Sequence, residues 1–346
     1  MKTYKRLFEQ LCSLENLFAA SREAMRGKRS KLAVVRHFME EEKEVVMLAQ
    51  ALREGTYRHG AYRYFTIHEP KKRLVAAAPF RDRVVHHAVV RMIEPFFDKG
   101  FIEDSFACRT GKGTHAALRR CAEFTKRYPY ALKCDVTKYF PSIDHQILLG
   151  LLRRRVADER VMKLIEEILA SHSDVIEREW NGDDLLEVSL RPRGLPIGNL
   201  TSQFFANVYL NELDHYVKHG LRVRGYVRYV DDFILFDDNR MRLREYGQAI
   251  RSKLKELRLS INPDKYRLLP CRLGVDFVGF VCFANGRRKL RAANARAYQK
   301  KLKQKLWLAG RGLLPMAKVS ESARAWVAHA AHAQSWGLRR ELFSHI

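Results

Sequence analysis

No stretch of this 346-residue chain reaches the roughly 18 consecutive apolar residues of a membrane-spanning helix, and the first residues lack the apolar core of a signal peptide. A cytoplasmic protein with no membrane partner is therefore expected. Cysteine is scarce. The six residues Cys12, Cys108, Cys121, Cys134, Cys271 and Cys282 include no Cys-x-x-Cys pair, which reads as reduced, mostly packed thiols rather than a disulfide framework. Histidine is more plentiful at 13 residues, and His329 with His332 sits at helical i, i+3 spacing. No cysteine pair or carboxylate accompanies them at zinc-ligand spacing. Acidic residues are in deficit: 39 Asp and Glu face 64 Lys and Arg, for a formal net charge of +25. That excess argues against an ordinary metabolic enzyme and implies a polyanionic partner, nucleic acid before membrane. It runs along the whole chain rather than in one tail, as a lined surface would. No internal repeat or low-complexity linker is present, and a 47% hydrophobic content excludes a wholly disordered chain.

The length allows two or three packed subdomains. Residues 1–54 carry helical stripes, Leu7, Leu11, Leu14, Leu17 and Phe18 in one and Val45, Met47, Leu48 and Leu52 in the other, broken at Gly27-Lys28-Arg29. Alternation over 61–78 predicts a hairpin turning near Pro70-Lys71-Lys72, and 81–99 an amphipathic helix ended by Gly100. A helix from Thr114 to about Arg127 and a strand over 130–136 follow. Helices are then expected over 144–156 and 158–171, an irregular acidic segment over 172–193, and a helix over 201–219. Beyond these come a hairpin at 224–238, a helix at 241–258, short strands near 266–270 and 275–283, and a basic helical tail from Ala292. The pattern is α+β: a small antiparallel sheet backed by helices, with helical extensions at both ends.

The most informative segment is Arg228-Tyr229-Val230-Asp231-Asp232-Phe233-Ile234-Leu235-Phe236. Two adjacent acids lie between strand-forming runs and read as a hairpin turn presenting carboxylates. They repel each other, so a cation is expected nearby. Taken alone the pair also reads as a solvated acidic turn. Asp135, ending the run Tyr130-Ala131-Leu132-Lys133-Cys134, reads alone as the N-cap of the next helix. If the 130–136 strand pairs with the 226–236 hairpin, three carboxylates meet at one sheet end. Two Mg²⁺ about 4 Å apart would neutralise them and drive in-line phosphoryl displacement. Hard oxygen donors without Cys or His favour Mg²⁺ over a softer metal.

These segments resemble the palm motifs of reverse transcriptases, matching in order and spacing: Asp135-x-x-x-x-Phe140, Gly194-Leu195-Pro196-Ile197-Gly198-Asn199-Leu200-Thr201-Ser202-Gln203, and Tyr229-Val230-Asp231-Asp232. Lys265 and Phe277-Val278-Gly279-Phe280 look like the two motifs that follow, and Lys72-Arg73-Leu74-Val75 and Ser105-Phe106-Ala107-Cys108-Arg109 like the fingers motifs. The resemblance covers about residues 60–285. It implies a right-hand polymerase fold with an N-terminal helical extension over 1–60, fingers and palm over 61–285 and a helical thumb over 286–346. The chain further resembles the reverse transcriptases of diversity-generating retroelements. Most of the wider family carries Gln after the Pro of the middle motif and Ser-Pro at its end, where this chain has Ile197 and Ser202-Gln203. The compact length, the absence of maturase or endonuclease segments and the tail segment Trp326-Val327-Ala328-His329-Ala330 agree with that subgroup.

Carried over residue by residue, the resemblance implies that Asp135 and Asp231 bind both metals, that the Val136 carbonyl completes one shell and that Asp232 sits slightly farther out. Phe140 resembles the steric gate against a ribose hydroxyl; as a bare residue it would be ordinary core. Lys71 or Lys72, and Arg73, would hold the incoming triphosphate, where a solvated turn is the plain alternative. Gly198 and Gln203 belong to the same nucleotide-binding motif as Ile197. Lys265 resembles the lysine that protonates the leaving pyrophosphate, and is otherwise a surface lysine. Arg109 would meet template backbone. Lys300, Lys301, Lys303 and Lys305, with Trp307 behind them, fit a helix along the duplex through phosphate contacts, or simply a soluble face. Ile197 removes hydrogen-bond donors around the nucleotide, so mispairs would be rejected less strongly.

The activity implied is RNA-directed DNA synthesis from dNTPs: a template-repeat RNA copied into error-prone cDNA, with mistakes concentrated at adenines. The partners implied are that RNA, the RNA/cDNA duplex and a small basic accessory variability protein that forms a pentamer; the amino-terminal segment is a candidate to bind structured RNA or that protein. Retron, group II intron-like and phage-defence reverse transcriptases are alternatives within the class. A non-catalytic RNA-binding protein is the alternative outside it, and would be expected to have lost a carboxylate.

Overall fold

The structure, a computed structural model, describes residues 2–28, 31–68, 72–173 and 191–344. In chain order its regular elements begin with helices α1 (Phe8–Leu11), α2 (Leu14–Met25), α3 (Leu32–Met39) and α4 (Glu41–Glu54). The strands β1 (Arg63–Ile67) and β2 (Arg73–Ala77), helices α5 (Phe80–Asp98) and α6 (Thr114–Arg127), and strand β3 (Tyr130–Asp135) come next. Helices α7 (Tyr139–Ser142), α8 (His145–Arg153), α9 (Glu159–Ser173) and α10 (Leu200–His215) precede strands β4 (Gly225–Tyr229) and β5 (Asp232–Asp237). After α11 (Arg240–Glu256) come β6 (Arg267–Pro270), β7 (Val275–Phe277), β8 (Phe280–Cys282) and β9 (Arg288–Leu290), then helices α12 (Ala292–Gly310), α13 (Met316–Ala330) and α14 (Trp336–Phe343). This is the α+β class expected. The irregular segment expected over 172–193 lies mostly outside the described residues, as does the break at Arg29. Among the described residues no helix is long and apolar enough to cross a membrane.

Two compact units account for the chain. One comprises Met1–Ile102, Val136–His215 and Ser252–Ser260. Local chemistry sets two of its helix ends. Ser13 caps α2 through a bond from the Asn16 amide (3.2 Å), and α4 ends at Gly55 in the left-handed region. Leu11, Leu17, Val45, Leu48, Val85 and Ile93 are buried in its core. Two stripe residues depart from expectation: Leu14 is 41% and Met47 55% exposed, because Leu14 flanks the buried arc at the first position of α2 and Met47, two residues after Val45, falls on the opposite face of α4 from Val45, Leu48 and Leu52. β1 and β2 pair antiparallel from Arg63↔Ala77 to Ile67↔Arg73, giving the expected hairpin; residues 69–71 at its turn lie outside the described residues. Buried Asp82 accepts from the Tyr57 hydroxyl (2.7 Å) and the Gly60 amide (3.0 Å), tying the segment after α4 to α5.

Also buried in this unit is His86, whose Nε2 lies 3.2 Å from Nε2 of His59. Burial pushes its imidazole down to about 3, with the His59 and His87 charges adding to the effect. The unfolded chain then takes up a proton, with an ordinary value of 6.5, that the folded chain refuses. This contribution to stability is complete above pH 6.5 and shrinks as pH falls toward 3, by at most about 1.4 kcal/mol per pH unit for one group. A lower urea midpoint is expected at pH 5 than at pH 7.5, with part of the difference removed by His86→Gln. An unchanged difference in that variant would locate the proton uptake elsewhere.

The second unit comprises Glu103–Asp135, Tyr216–Arg251 and Ile261–Ile346. It holds a four-stranded antiparallel sheet in the order β4-β5-β3-β6 and a three-stranded sheet in the order β7-β8-β9. The second sheet contains a strand the sequence did not suggest: β9 is three residues, Arg288-Lys289-Leu290, two of them charged, too short to show alternation. Leu118, Cys121 and Phe124 of α6 share one core with Ile234 and Phe236 of β5 and Phe277, Phe280 and Cys282 of the smaller sheet. The tail forms a satellite core of Leu302, Val319 and Leu342, beside which Tyr298 and Trp326 stack at 4.5 Å. His332 lies beyond the end of α13 rather than sharing a helix face with His329, and its ring stacks on His115 at 3.5 Å.

Candidate active site

Strand register decides where the acids go. β3 pairs antiparallel with β5 so that Asp135 stands directly opposite Asp232. On its other side β5 pairs with β4, with Tyr229 opposite Asp232, which leaves Val230 and Asp231 as a two-residue connection. The sequence reading put both acids in the turn. Asp232 is instead the first residue of the inner strand β5, a cross-strand neighbour of Asp135, because Val230 takes the turn position. Val230 does so with φ of 57°, a left-handed conformation that two-residue hairpins require and that a β-branched residue adopts only at a cost of about 1–3 kcal/mol.

A buried arginine supports that turn. Arg228 is 1% exposed, and its guanidinium donates to the Val230 carbonyl (2.9 Å) and to the Ser105 hydroxyl (3.0 Å). Its backbone amide donates to the Asp104 carbonyl (2.9 Å), while its carbonyl accepts from the Phe106 amide (3.1 Å). Asp104 in turn binds Arg120 (2.6 Å) and Lys218 (2.9 Å). The segment expected to be a fingers motif, Ser105–Arg109, thus braces the acidic turn through Ser105. Arg228 was not singled out in the sequence, although a charged residue inside an otherwise apolar strand is a readable signal.

The cations that the acids require are lysines. Lys265 Nζ lies 2.6 Å from Asp135 Oδ2. It reaches there because the Asn262 amide donates to the Asp135 carbonyl (2.8 Å), which sets the tight turn Pro263–Lys265 beside the strand end. Lys133 Nζ lies 3.3 Å from Asp232 Oδ2. Burial pushes the Asp232 carboxyl up to about 6; Lys133 opposes the rise, and the charges of Asp135 and Asp231 add to it. Asp232 Oδ1 is buried and receives no hydrogen bond from the described residues. Among those residues no three Asp, Glu, His or Cys side chains are grouped to hold a metal ion as they stand; two of the three acids are turned onto lysines. An acid-rich sheet end with hard oxygen donors and one unsatisfied buried carboxylate oxygen nevertheless fits a divalent cation of the Mg²⁺ type.

The nucleotide candidates lie in the first unit. Lys71 falls outside the described residues, while Lys72 and Arg73 are exposed at the start of β2. The 194–199 loop is pinned from both sides. The Leu195 amide donates to the Phe140 carbonyl (2.9 Å), and the Ala76 amide donates to the Ile197 carbonyl (2.9 Å). Asn199 Nδ2 donates to the Ala76 carbonyl (3.1 Å). Gly198 has φ of 114°, and a Cβ there would meet Val75 Cγ1 at 2.8 Å, so the close approach of loop and strand needs glycine. Phe140 is half-buried in the short helix α7, edge-on to Tyr139, with ring centroids 5.7 Å apart. Ile197 is half-buried, and Gln203 is exposed in the first turn of α10.

Of the nucleic-acid candidates, Arg109 donates to the Ser105 carbonyl (2.9 Å). Lys300, Lys301 and Lys303 are exposed on α12 and Lys305 is half-buried. Trp307 does not lie behind them in a core: it is 53% exposed, with the Arg311 guanidinium 3.9 Å over its ring.

The family model described as reverse transcriptase (RNA-dependent DNA polymerase) matches residues 67–282. Protein YkfC of Escherichia coli K12 is 26% identical over 280 residues, 68% of this chain and 70% of YkfC. The group II intron-encoded protein LtrA of Lactococcus lactis subsp. cremoris is 26% identical over 179 residues, 51% of this chain and 28% of LtrA. The chain thus spans under a third of that longer relative. A solved telomerase from Candida albicans resembles 73% of this chain and 49% of its own, with a TM-score of 0.49 and 13% identity. With more than half of its length matched, the chain belongs to the reverse transcriptase family, the RNA-directed DNA polymerases, and has relatives among group II intron-encoded proteins.

Proposed function

We propose that this chain is the reverse transcriptase of a diversity-generating retroelement, copying a template-repeat RNA into cDNA that carries errors at adenines. The observation that carries this reading is Ile197 in the middle motif. Its backbone is held by the Ala76 amide, so the position is well defined, and its side chain offers no hydrogen bond to a nucleotide. A site that hydrogen-bonds the correct partner rejects a wrong one by roughly 10⁴-fold, whereas apolar surface discriminates by roughly 10- to 200-fold. Loosened selection is the physical part of the proposal; the adenine bias rests on the resemblance.

Asp135, Asp231 and Asp232, with the Val136 carbonyl, are assigned to hold two Mg²⁺. Bound there, the ions supply charge neutralisation and activation for in-line displacement. Lys72, Arg73 and Lys71 are assigned to the triphosphate, Phe140 to exclusion of the ribose hydroxyl, and Gly198 and Gln203 with Ile197 to nucleotide placement. Lys265 supplies the proton for the leaving pyrophosphate. Arg109 and the lysines Lys300, Lys301, Lys303 and Lys305 hold nucleic-acid backbone. The assigned layout is an extension over 1–60, fingers and palm over 61–285 and a thumb over 286–346, with a pentameric accessory variability protein as partner. The match to LtrA favours a second reading, a group II intron-like enzyme of ordinary fidelity.

Sequencing cDNA made on a defined RNA, with and without candidate accessory protein, separates the two. Substitutions concentrated at template adenines are expected from the wild-type chain, and Ile197→Gln should lower them by about tenfold. Faithful copies from both proteins would favour the second reading. Equal error rates in both would place the infidelity in another residue.

A further inference from the structure

The pair Lys133–Asp232 has no counterpart among the roles assigned above. Lys133 and Asp135 are two residues apart on β3 and so share a face of the sheet with Asp232, to which Lys133 is the diagonal neighbour. Its side chain is 15% exposed and doubly held. The ammonium contacts Asp232 Oδ2 at 3.3 Å and donates to the Asp276 backbone carbonyl at 2.6 Å. Asp276 belongs to β7, in the smaller sheet, and its carboxylate is paired with Arg291. The lysine therefore cannot swing away when a cation arrives without leaving the Asp276 carbonyl unsatisfied. Asp232 is left with one oxygen committed to Lys133 and the other, Oδ1, buried and unpartnered.

We infer that Lys133 is a positioning residue for the acidic centre: it fixes the Asp232 carboxylate so that Oδ1 alone serves a divalent cation, and its resident charge holds down the affinity of the site for that cation. This rests on the metal-site assignment proposed above and adds a direction to it. Lys133 stays in place on cation binding, so a fixed unit of positive charge opposes every ion that enters. Removing that charge while keeping the hydrogen bond to Asp276 should relieve the repulsion on an incoming ion and so bind divalent cations more tightly. A lysine with a merely structural role would do the reverse, because its loss would loosen the site.

Mn²⁺ binding to the full-length protein, read from the electron paramagnetic resonance signal of the free ion without nucleotide or nucleic acid, tests this. Lys133→Gln retains a donor for the Asp276 carbonyl and loses the charge; Lys133→Met loses both; Lys133→Arg keeps both. We expect Lys133→Gln to bind Mn²⁺ at least about threefold more tightly than wild type at low salt, and Lys133→Arg to bind as wild type does. The melting temperature of Lys133→Gln should be lower than wild type in chelator and recover more on adding Mn²⁺. Should Lys133→Met fail to fold, the Gln and Arg variants decide alone. Unchanged or weaker binding by Lys133→Gln overturns the role of Lys133. A wild-type protein that binds no Mn²⁺, or binds it equally after Asp231→Asn, overturns the metal-site assignment itself and this inference with it.

Discussion

Asp231→Asn is expected to abolish Mg²⁺-dependent primer extension while leaving the fold intact. Asparagine has the shape of aspartate, and Asp231 sits in a two-residue connection whose conformation depends on Val230 at φ 57° and on Arg228 bonding to the Val230 carbonyl. None of those features needs the Asp231 charge. Losing that charge also removes one of the repulsions that raise the Asp232 carboxyl, so the variant should stay folded with a urea midpoint close to that of the wild type. Activity should fall. Cation-assisted displacement draws several kcal/mol from the ligated ions, and under the proposed assignment of Asp231 to both ions its loss should cost about 10³-fold or more in rate. Primer extension on an RNA template, with the urea midpoint of the same preparation, separates the two effects. Extension at wild-type rates in the folded variant would remove Asp231 from the active site.

Phe140→Ala should let the enzyme incorporate ribonucleotides. The backbone around Phe140 is fixed independently of its ring. The Phe140 carbonyl accepts from the Leu195 amide, and the Tyr139 hydroxyl donates to the Ala206 carbonyl at 2.5 Å. The ring itself is half-buried, so truncation opens space without collapsing α7. A steric exclusion of one hydroxyl is worth about 2–3 kcal/mol, and the preference for dNTP over rNTP in kcat/KM should fall by roughly 30- to 150-fold. The dNTP rate should change far less. An unaltered preference would assign Phe140 to packing and leave sugar selection to another side chain.

Much of this chain was legible before its fold was known. The hairpin around the acids, the strand ending at Asp135, α6 over Thr114–Arg127 and the helical tail all follow from periodicity and from glycine and proline punctuation. The requirement for a cation beside the acids also followed, from repulsion alone. Other features did not. That Asp232 belongs to a strand rather than the turn depends on a one-residue register, which the sequence leaves open because the run is apolar on both faces from Phe233 to Phe236. The exposure of Trp307 and the existence of β9 were likewise beyond reach, since both depend on what packs against a short segment.

Sequence alone determined which residue types this protein has for its chemistry: three carboxylates, an excess of cations and an aliphatic Ile197 in the middle motif. Those are properties of composition and spacing, conserved through any folding. Only the tertiary structure decided which cation meets which acid. Lys133 reaches Asp232 because β3 and β5 are in antiparallel register, Lys265 reaches Asp135 because the Asn262 amide bonds to that strand end, and Arg228 supports Val230 from a buried position. Such pairings depend on distances of a few ångströms between segments up to about 130 residues apart in sequence, and charge attracts over space, not along the chain.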